Sequence, residues 1–182
     1  MIGIAQIGDV VIRQERSTGA TIFIAGMRID ADGSPHAYHP DNVSGLDDLT
    51  NAGKPGQWWG LACDHEGEPY VQRAGDPAPG FYVSQTALEY RQFNEEDPRR
   101  YVDSEQIPYI VLPRGYPCKP QLGCDVSVVN LRNKKFSHAI YGDVGPADQI
   151  GEGSIALAKA LGINPDARTG GIANGILYIV HA

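Results

Sequence analysis

Val126-Ser-Val-Val-Asn-Leu131 and Lys135-Phe-Ser-His-Ala-Ile-Tyr141 are two β-prone runs on either side of the polar triplet Arg132-Asn-Lys134. Two such runs separated by a few polar residues are typical of a β-hairpin. The second run continues into Gly142 and Asp143, so we expect this hairpin to place a carboxylate at the end of a strand. The stretch predicts a fold built around β-hairpins and short strands.

The rest of the chain supplies further short runs of the same kind. Ile107-Pro-Tyr-Ile-Val-Leu112 is the most apolar and is predicted to be a core strand, with its proline near the start, where a missing N–H is tolerated. Glycine and proline, 22 and 13 of 182 residues, exceed their average usage of roughly 12% and indicate many tight turns. The other strands are predicted at residues 12–21, 22–29, 57–63, 81–88 and 175–180.

One segment is predicted to be helical. Ser154-Ile-Ala-Leu-Ala-Lys-Ala-Leu161 is rich in helix formers, begins with a serine that can cap the N-terminus, and stops at Gly162. The chain length of 182 residues suits a single domain with a buried core. We therefore predict one mainly β domain over residues 1–182, with one or two short helices.

The charge balance and the composition exclude several classes of function. Fifteen Lys and Arg against 22 Asp and Glu give a formal net charge of −7, which repels a phosphate backbone, so we expect no nucleic-acid partner. An acidic surface suits a cationic partner, although surplus carboxylates also keep a protein soluble. No run approaches the roughly 18 apolar residues of a membrane span, and no signal peptide is predicted after Met1.

The three cysteines are too few for a disulfide framework. Cys118 and Cys124 enclose a short loop containing proline and glycine, and the sequence leaves open whether they form a disulfide. No C-x-x-C pair occurs and the five histidines are dispersed, so no metal site is predicted.

The most suggestive stretch is Tyr141-Gly-Asp-Val-Gly-Pro-Ala-Asp-Gln-Ile-Gly-Glu-Gly-Ser154. It places Asp143 at the end of a strand and Glu152 at the mouth of the predicted helix. Two carboxyl groups about 6.5–9.5 Å apart suit single-displacement glycoside hydrolysis, in which one protonates the leaving oxygen and the other activates water. The same residues also suit a turn former and a helix-capping acid, so the spacing permits this chemistry without demonstrating it.

A second acidic cluster lies just after the strand predicted at residues 22–29. Asp30 and Asp32 suit an Asx-type turn, or a set of acceptors for ammonium or hydroxyl groups with Tyr38 as a flat surface for a sugar ring. Trp58 and Trp59 are neighbours in a predicted strand, where alternate residues face opposite sides. We expect one of them in the core and the other exposed as a sugar platform.

Six stretches of the sequence, in this order, resemble the fungal-type chitosanases of glycoside hydrolase family 75. The resemblance extends from about Met27 to the C-terminus. The stretches are Met27-Arg-Ile-Asp-Ala-Asp-Gly-Ser-Pro-His-Ala-Tyr-His-Pro40, Gly45-Leu-Asp-Asp-Leu49, Trp58-Trp-Gly60, Asp103-Ser-Glu-Gln-Ile-Pro-Tyr-Ile-Val-Leu-Pro113, Tyr141-Gly-Asp-Val-Gly-Pro146 and Gly151-Glu-Gly-Ser-Ile-Ala-Leu-Ala158. The resemblance implies a six-stranded double-psi β-barrel.

The resemblance also implies an activity and its residues. It implies an inverting endo-hydrolase that cuts β-1,4 links in chitosan, with Asp143 and Glu152 as the essential carboxylates and no cofactor. Chitosan is a cationic amino-sugar polymer, which agrees with the net charge of −7. We expect Asp30 and Asp32 to contact its amines, and Tyr38 and Trp58 to contact its rings.

The resemblance leaves open which carboxylate is the acid, and the predicted helix favours one assignment. A helix starting at Ser154 has its positive end near Glu152, which favours an ionised Glu152 as base and leaves Asp143 as acid. We expect a monomer. The fungal members are secreted, so the family habit implies an extracellular location. The sequence leaves two other functions open: hydrolysis of another amino-sugar polymer such as peptidoglycan, and non-catalytic glycan binding.

Overall fold

The computed structural model describes residues 1–181, which form ten strands and one α-helix. Two single turns, Leu49–Asn51 and Pro98–Arg100, are 3₁₀-helical. The strands are β1 (Ile2–Ile7), β2 (Val10–Gln14), β3 (Thr21–Asp30), β4 (Gly53–Lys54), β5 (Gln57–Trp58), β6 (Tyr109–Pro113), β7 (Asp125–Asn130), β8 (Phe136–Gly145), β9 (Glu152–Ser154) and β10 (Ile172–Val180), and the helix α1 is Ile155–Leu161.

Contacts within the chain divide it into two units. The barrel unit comprises residues 1–30 together with the residues from 106 onward, and the loop-rich unit comprises residues 31–105. The seven residues of α1 are far short of the length needed to span a membrane, and no other helix of residues 1–181 is long and apolar enough to do so.

Six strands of the barrel unit form a closed β-barrel. Their order is β3-β10-β7-β8-β6-β9, and β9 pairs back onto β3 to close the ring. The β6–β8 and β3–β9 pairs are parallel, and the other four pairs are antiparallel. The hairpin β1–β2 extends the sheet by pairing with the start of β3. These pairings confirm the predicted mainly β fold with a six-stranded barrel.

The hairpin predicted between residues 126 and 141 is the antiparallel pair β7–β8. Buried and less buried residues alternate along β7, as expected for a strand with one face on a core. The predicted core strand at residues 107–112 is β6, and all five of its residues are buried. The helix is also confirmed, because Ser154 caps its first turn by accepting from the Leu157 amide and Gly162 ends it in a left-handed conformation.

The structure corrects several predicted elements. Residues 15–20 form a turn between β2 and β3 instead of a strand, and residues 81–88 make only isolated bridges. Strand β1 was not predicted. Glu152 lies in the three-residue strand β9, which was not predicted and which ends at the helix N-cap Ser154. Since a three-residue strand has no detectable periodicity, only its pairing with β3 and β6 reveals it.

The loop-rich unit has little regular structure beyond the small β4–β5 hairpin. Its core cluster consists of Ala62, Val83 and Tyr101, with Tyr70 packed against it. Cys63 of this unit is a free thiol, and so are Cys118 and Cys124 of the barrel unit. In this structure the loop between Cys118 and Cys124 is therefore not closed by a disulfide.

Tyr178 of β10 is fully buried in the core of the barrel unit. Its ring stacks on Phe23 with centroids 4.7 Å apart, and its hydroxyl donates to the Gly26 carbonyl at 2.8 Å. Burial raises its pKa, which keeps the phenol a neutral donor. We expect Tyr178→Phe to lower the free energy of unfolding by about 1 kcal/mol, because the partly buried Gly26 carbonyl loses its donor. Urea denaturation measures this, with the exposed Tyr90→Phe as control, and equal midpoints for the two variants would contradict it.

Candidate active site

Val111 of β6 brings the two predicted carboxylates together. It is the cross-strand partner of Asp143 in β8 and also of Glu152 in β9. Directly paired residues project from the same face of a sheet, so Asp143 and Glu152 lie on one face with Val111 between them. Neighbouring strands are about 4.8 Å apart, which puts the two Cα atoms roughly 10 Å apart.

A bulge in the β6–β8 ladder decides which face Asp143 occupies. Ile110 pairs with Tyr141 and Val111 pairs with Asp143, so Gly142 is an extra residue in β8. Without the bulge Gly142 would pair with Val111 and Asp143 would project from the opposite face. The bulge therefore directs Asp143 toward the face that carries Glu152.

Gly142 also makes room for an aromatic ring. A Cβ at this position would lie 2.7 Å from both Cβ and Cγ of Tyr109, closer than real Cβ contacts. The Tyr109 hydroxyl in turn donates to Asp30 Oδ2 at 3.0 Å. The absent side chain at residue 142 thus lets Tyr109 reach across to Asp30.

Asp30 is a carboxylate close to Asp143 within the barrel unit. The two side chains offer oxygens within 4.8 Å of each other, and Asp30 is only 7% exposed. Two carboxylates this close repel each other when both are ionised, so one shared proton is favoured. The pKa of the neighbouring Tyr141 is raised by burial and, second, by the charge of Asp143.

Glu152 has a cationic neighbour instead. It pairs with Arg28 across the parallel β3–β9 ladder, and Nη2 of Arg28 lies 3.3 Å from Oε2 of Glu152. A guanidinium at this distance favours the ionised carboxylate. Gly145 of β8 lies near the same carboxylate, since a Cβ there would be 3.8 Å from Glu152 Oε2. The two carboxylates therefore have opposite electrostatic surroundings.

Asp32 and Tyr38 belong to the loop-rich unit and contact each other. Asp32 Oδ1 accepts from the Tyr38 hydroxyl at 2.8 Å and from Ser84 Oγ at 3.3 Å. Tyr38 is only 1% exposed, so its ring is not the open surface for a sugar that we expected. Its hydroxyl holds Asp32 instead.

The two neighbouring tryptophans of the loop-rich unit differ as expected. Trp58 is partly buried and lies at a tilt against Tyr82, with ring centroids 6.5 Å apart. Trp59 is 62% exposed, and its indole N–H donates to the Asn51 carbonyl at 2.7 Å. Trp59 is therefore the outward ring, a choice that the sequence left open.

The structure thus gathers Asp30, Asp143 and Glu152 in the barrel unit and Asp32 with Tyr38 in the loop-rich unit. Arg28 and Tyr109 were missed by sequence reasoning. The alternation of side chains along a strand could have pointed to both residues. Arg28 lies two residues before Asp30 in β3, and Tyr109 lies two residues before Val111 in β6, so each pair shares a strand face.

Residues 27–182 match the family described as fungal chitosanase of glycosyl hydrolase group 75. No curated protein matches the chain. Because the family match covers most of the sequence, including the end of β3 and both strands that carry the carboxylate pair, the chain belongs to family 75 of the glycoside hydrolases, the fungal chitosanases.

Proposed function

We propose that the protein is an endo-acting, inverting hydrolase of β-1,4 glucosamine links in chitosan, with Asp143 and Glu152 as its two catalytic carboxylates. The observation that carries this proposal is their common partner Val111. A Cα separation of roughly 10 Å, with one strand between, leaves room for a sugar and a water molecule. Inverting enzymes need carboxyl groups about 6.5–9.5 Å apart, whereas retaining enzymes hold them at about 5–5.5 Å.

We assign the base role to Glu152 and the acid role to Asp143. Arg28 favours ionised Glu152, and the nearby Asp30 favours a proton on Asp143. The helix argument from the sequence does not carry this assignment, because Glu152 lies in β9 and the short helix begins only at Ile155. The ion pair between Arg28 and Glu152 supports the assignment instead.

The reaction then proceeds in one displacement. Glu152 takes a proton from the water that attacks the anomeric carbon, while Asp143 gives its proton to the leaving glycosidic oxygen on the other side. The carbon–oxygen bond to the leaving sugar breaks as the bond to water forms. Asp143 ends ionised and Glu152 ends protonated, and exchange with solvent restores both.

Substrate contacts are proposed for the loop-rich unit as well. Asp32 is less buried than Asp30, so we propose Asp32 as an acceptor for a protonated amine, held in place by the Tyr38 hydroxyl. Trp58 and the more exposed Trp59 are the proposed ring platforms. Asp30, which is buried beside Tyr109, is proposed to favour the protonated form of Asp143.

The pH profile of an Arg28 variant tests the base assignment. Removing the guanidinium in Arg28→Gln makes Glu152 easier to protonate, so the base is lost at a higher pH. We expect the acidic limb of the kcat/KM profile to move to higher pH, with about a threefold loss of kcat/KM on that limb. Arg28→Lys keeps the charge and should retain most of the wild-type profile. An unchanged acidic limb in Arg28→Gln would contradict the role of Arg28.

The first test of the function is a reducing-end assay on soluble chitosan, chitin, cellulose and peptidoglycan, with NMR of the fresh product. Release from chitosan with an initial α-anomer supports the proposal, because a β-link has then been cleaved with inversion. An initial β-anomer overturns the inverting mechanism. Activity on peptidoglycan alone replaces the substrate, and binding without any turnover favours a glycan-binding module.

A further inference from the structure

A cleft of about 510 Å³ lies in the barrel unit on the Arg28 side of the candidate active site. Its walls are the β1–β2 turn, the outer side of β3 and the loop between β8 and β9, with residues 173–174 of β10. Arg28 lines this cleft and also contacts Glu152. Arg28 therefore connects the cleft to the carboxylate proposed as base, and the cleft volume lies within the roughly 300–1,000 Å³ of ligand sites.

The surface of the cleft combines apolar and acidic groups. Ile24 is 54% exposed in the middle of β3, and Ile7 and Val10 line the cleft beside it. Asp9 and Asp148 are exposed at two of its walls. Arg28 is the one cation among the lining residues, and its charge is paired with Glu152. This mixture complements a glucosamine unit, which has an apolar ring face and a protonated amine.

The β1–β2 turn, a wall of the cleft, lies outside the family match. The match begins at residue 27, whereas the β1–β2 hairpin spans residues 2–14. The hairpin is attached to the barrel because Arg13 pairs with Ile22 and Gln14 pairs with Thr21. Its turn, which contains Asp9, is thus a wall contributed by residues that the family match does not include.

We propose that this cleft binds the glucosamine units next to the cleaved bond on the Glu152 side, with Asp9 and Asp148 as acceptors for their protonated amines. The proposal rests on the proposed function, because the cleft binds further sugar units of the same chitosan chain that Asp143 and Glu152 cleave. The β1–β2 turn and the β8–β9 loop then determine substrate affinity and the preference for unacetylated sugar.

The test compares two charge reversals that change the net charge equally. Asp9→Lys alters the cleft, and Asp125→Lys alters an exposed aspartate of β7 that does not line it. Because the proposed hydrolase would cleave this ligand, both variants are made in the inactive Asp143→Asn background. By calorimetric titration we expect Asp9→Lys to bind glucosamine hexasaccharide about fivefold more weakly than Asp125→Lys. Fully acetylated hexasaccharide, which lacks the amine charge, should bind the two variants alike. Asp148→Lys in the exposed β8–β9 loop provides a second variant should Asp9→Lys fail to fold.

Binding and turnover are read separately, so the two proposals fail separately. If the wild type cleaves chitosan but Asp9→Lys and Asp148→Lys bind the hexasaccharide as Asp125→Lys does, the cleft proposal is overturned and the proposed function stands. If the wild type binds the hexasaccharide without cleaving chitosan and both cleft variants bind it more weakly, the cleft stands and the hydrolytic function is overturned. Absence of any binding or cleavage overturns both.

Discussion

Asp143→Asn and Glu152→Gln are each expected to lower kcat on chitosan by about 10²- to 10⁴-fold, the range that a general acid or base contributes. Both changes keep the size of the side chain but remove the ability to exchange a proton. Affinity for glucosamine oligosaccharides should stay within about threefold, because the loss falls mainly on the transition state. Reducing-end kinetics and titration of a hexasaccharide measure the two effects. Asp125→Asn and Glu66→Gln are matched controls at exposed positions.

An activated substrate separates the roles of the two carboxylates. An aryl glycoside leaves as a stable phenolate and needs little protonation, so Asp143→Asn should recover much of its activity on such a substrate. Glu152→Gln should not recover, because the attacking water still needs a base. Recovery in Glu152→Gln instead would reverse the assignment, and near wild-type activity of either variant on chitosan would remove that residue from the proposed pair.

Gly142→Ala is expected to damage both stability and activity. The new methyl group would meet the Tyr109 ring at 2.7 Å, so either the ring or the bulged strand must move. Overpacking of this kind costs about 1–3 kcal/mol of unfolding free energy. Since Asp143 is the next residue and Tyr109 holds Asp30, we also expect kcat to fall by about 10²-fold, as for a catalytic group displaced by about 1 Å.

A double-mutant cycle measures how much of the cost is due to the ring. Tyr109→Ala removes Cγ and the rest of the ring but keeps Cβ, so the cost of Gly142→Ala should fall in that background without disappearing. Tyr109→Phe keeps the ring and removes only the hydroxyl donated to Asp30, which separates the steric contact from the hydrogen bond. Urea denaturation gives the coupling energy. A Gly142→Ala protein with wild-type stability and kcat would show that Tyr109 does not constrain this bulge.

Local sequence patterns determined several elements of this protein. The β7–β8 hairpin, the buried strand β6 and the capped helix α1 each follow from residues close together in the chain, because hairpin pairing, burial of a short apolar run and helix capping are local effects. The family resemblance likewise pointed to Asp143 and Glu152, although neither its motifs nor their spacing describe the contacts around the two residues.

Tertiary structure alone decided the surroundings of those carboxylates. Strand β9 exists only through pairing with β3 and β6, and those pairs put Glu152 between Arg28 and Val111. The face of Asp143 depends on one extra residue, Gly142, in a ladder with β6. Register between strands distant in sequence is set by the packing of the whole barrel, and a shift of one residue would turn Asp143 to the opposite face. For that reason the sequence determined which carboxylates to consider, and only the barrel determined that they share a face.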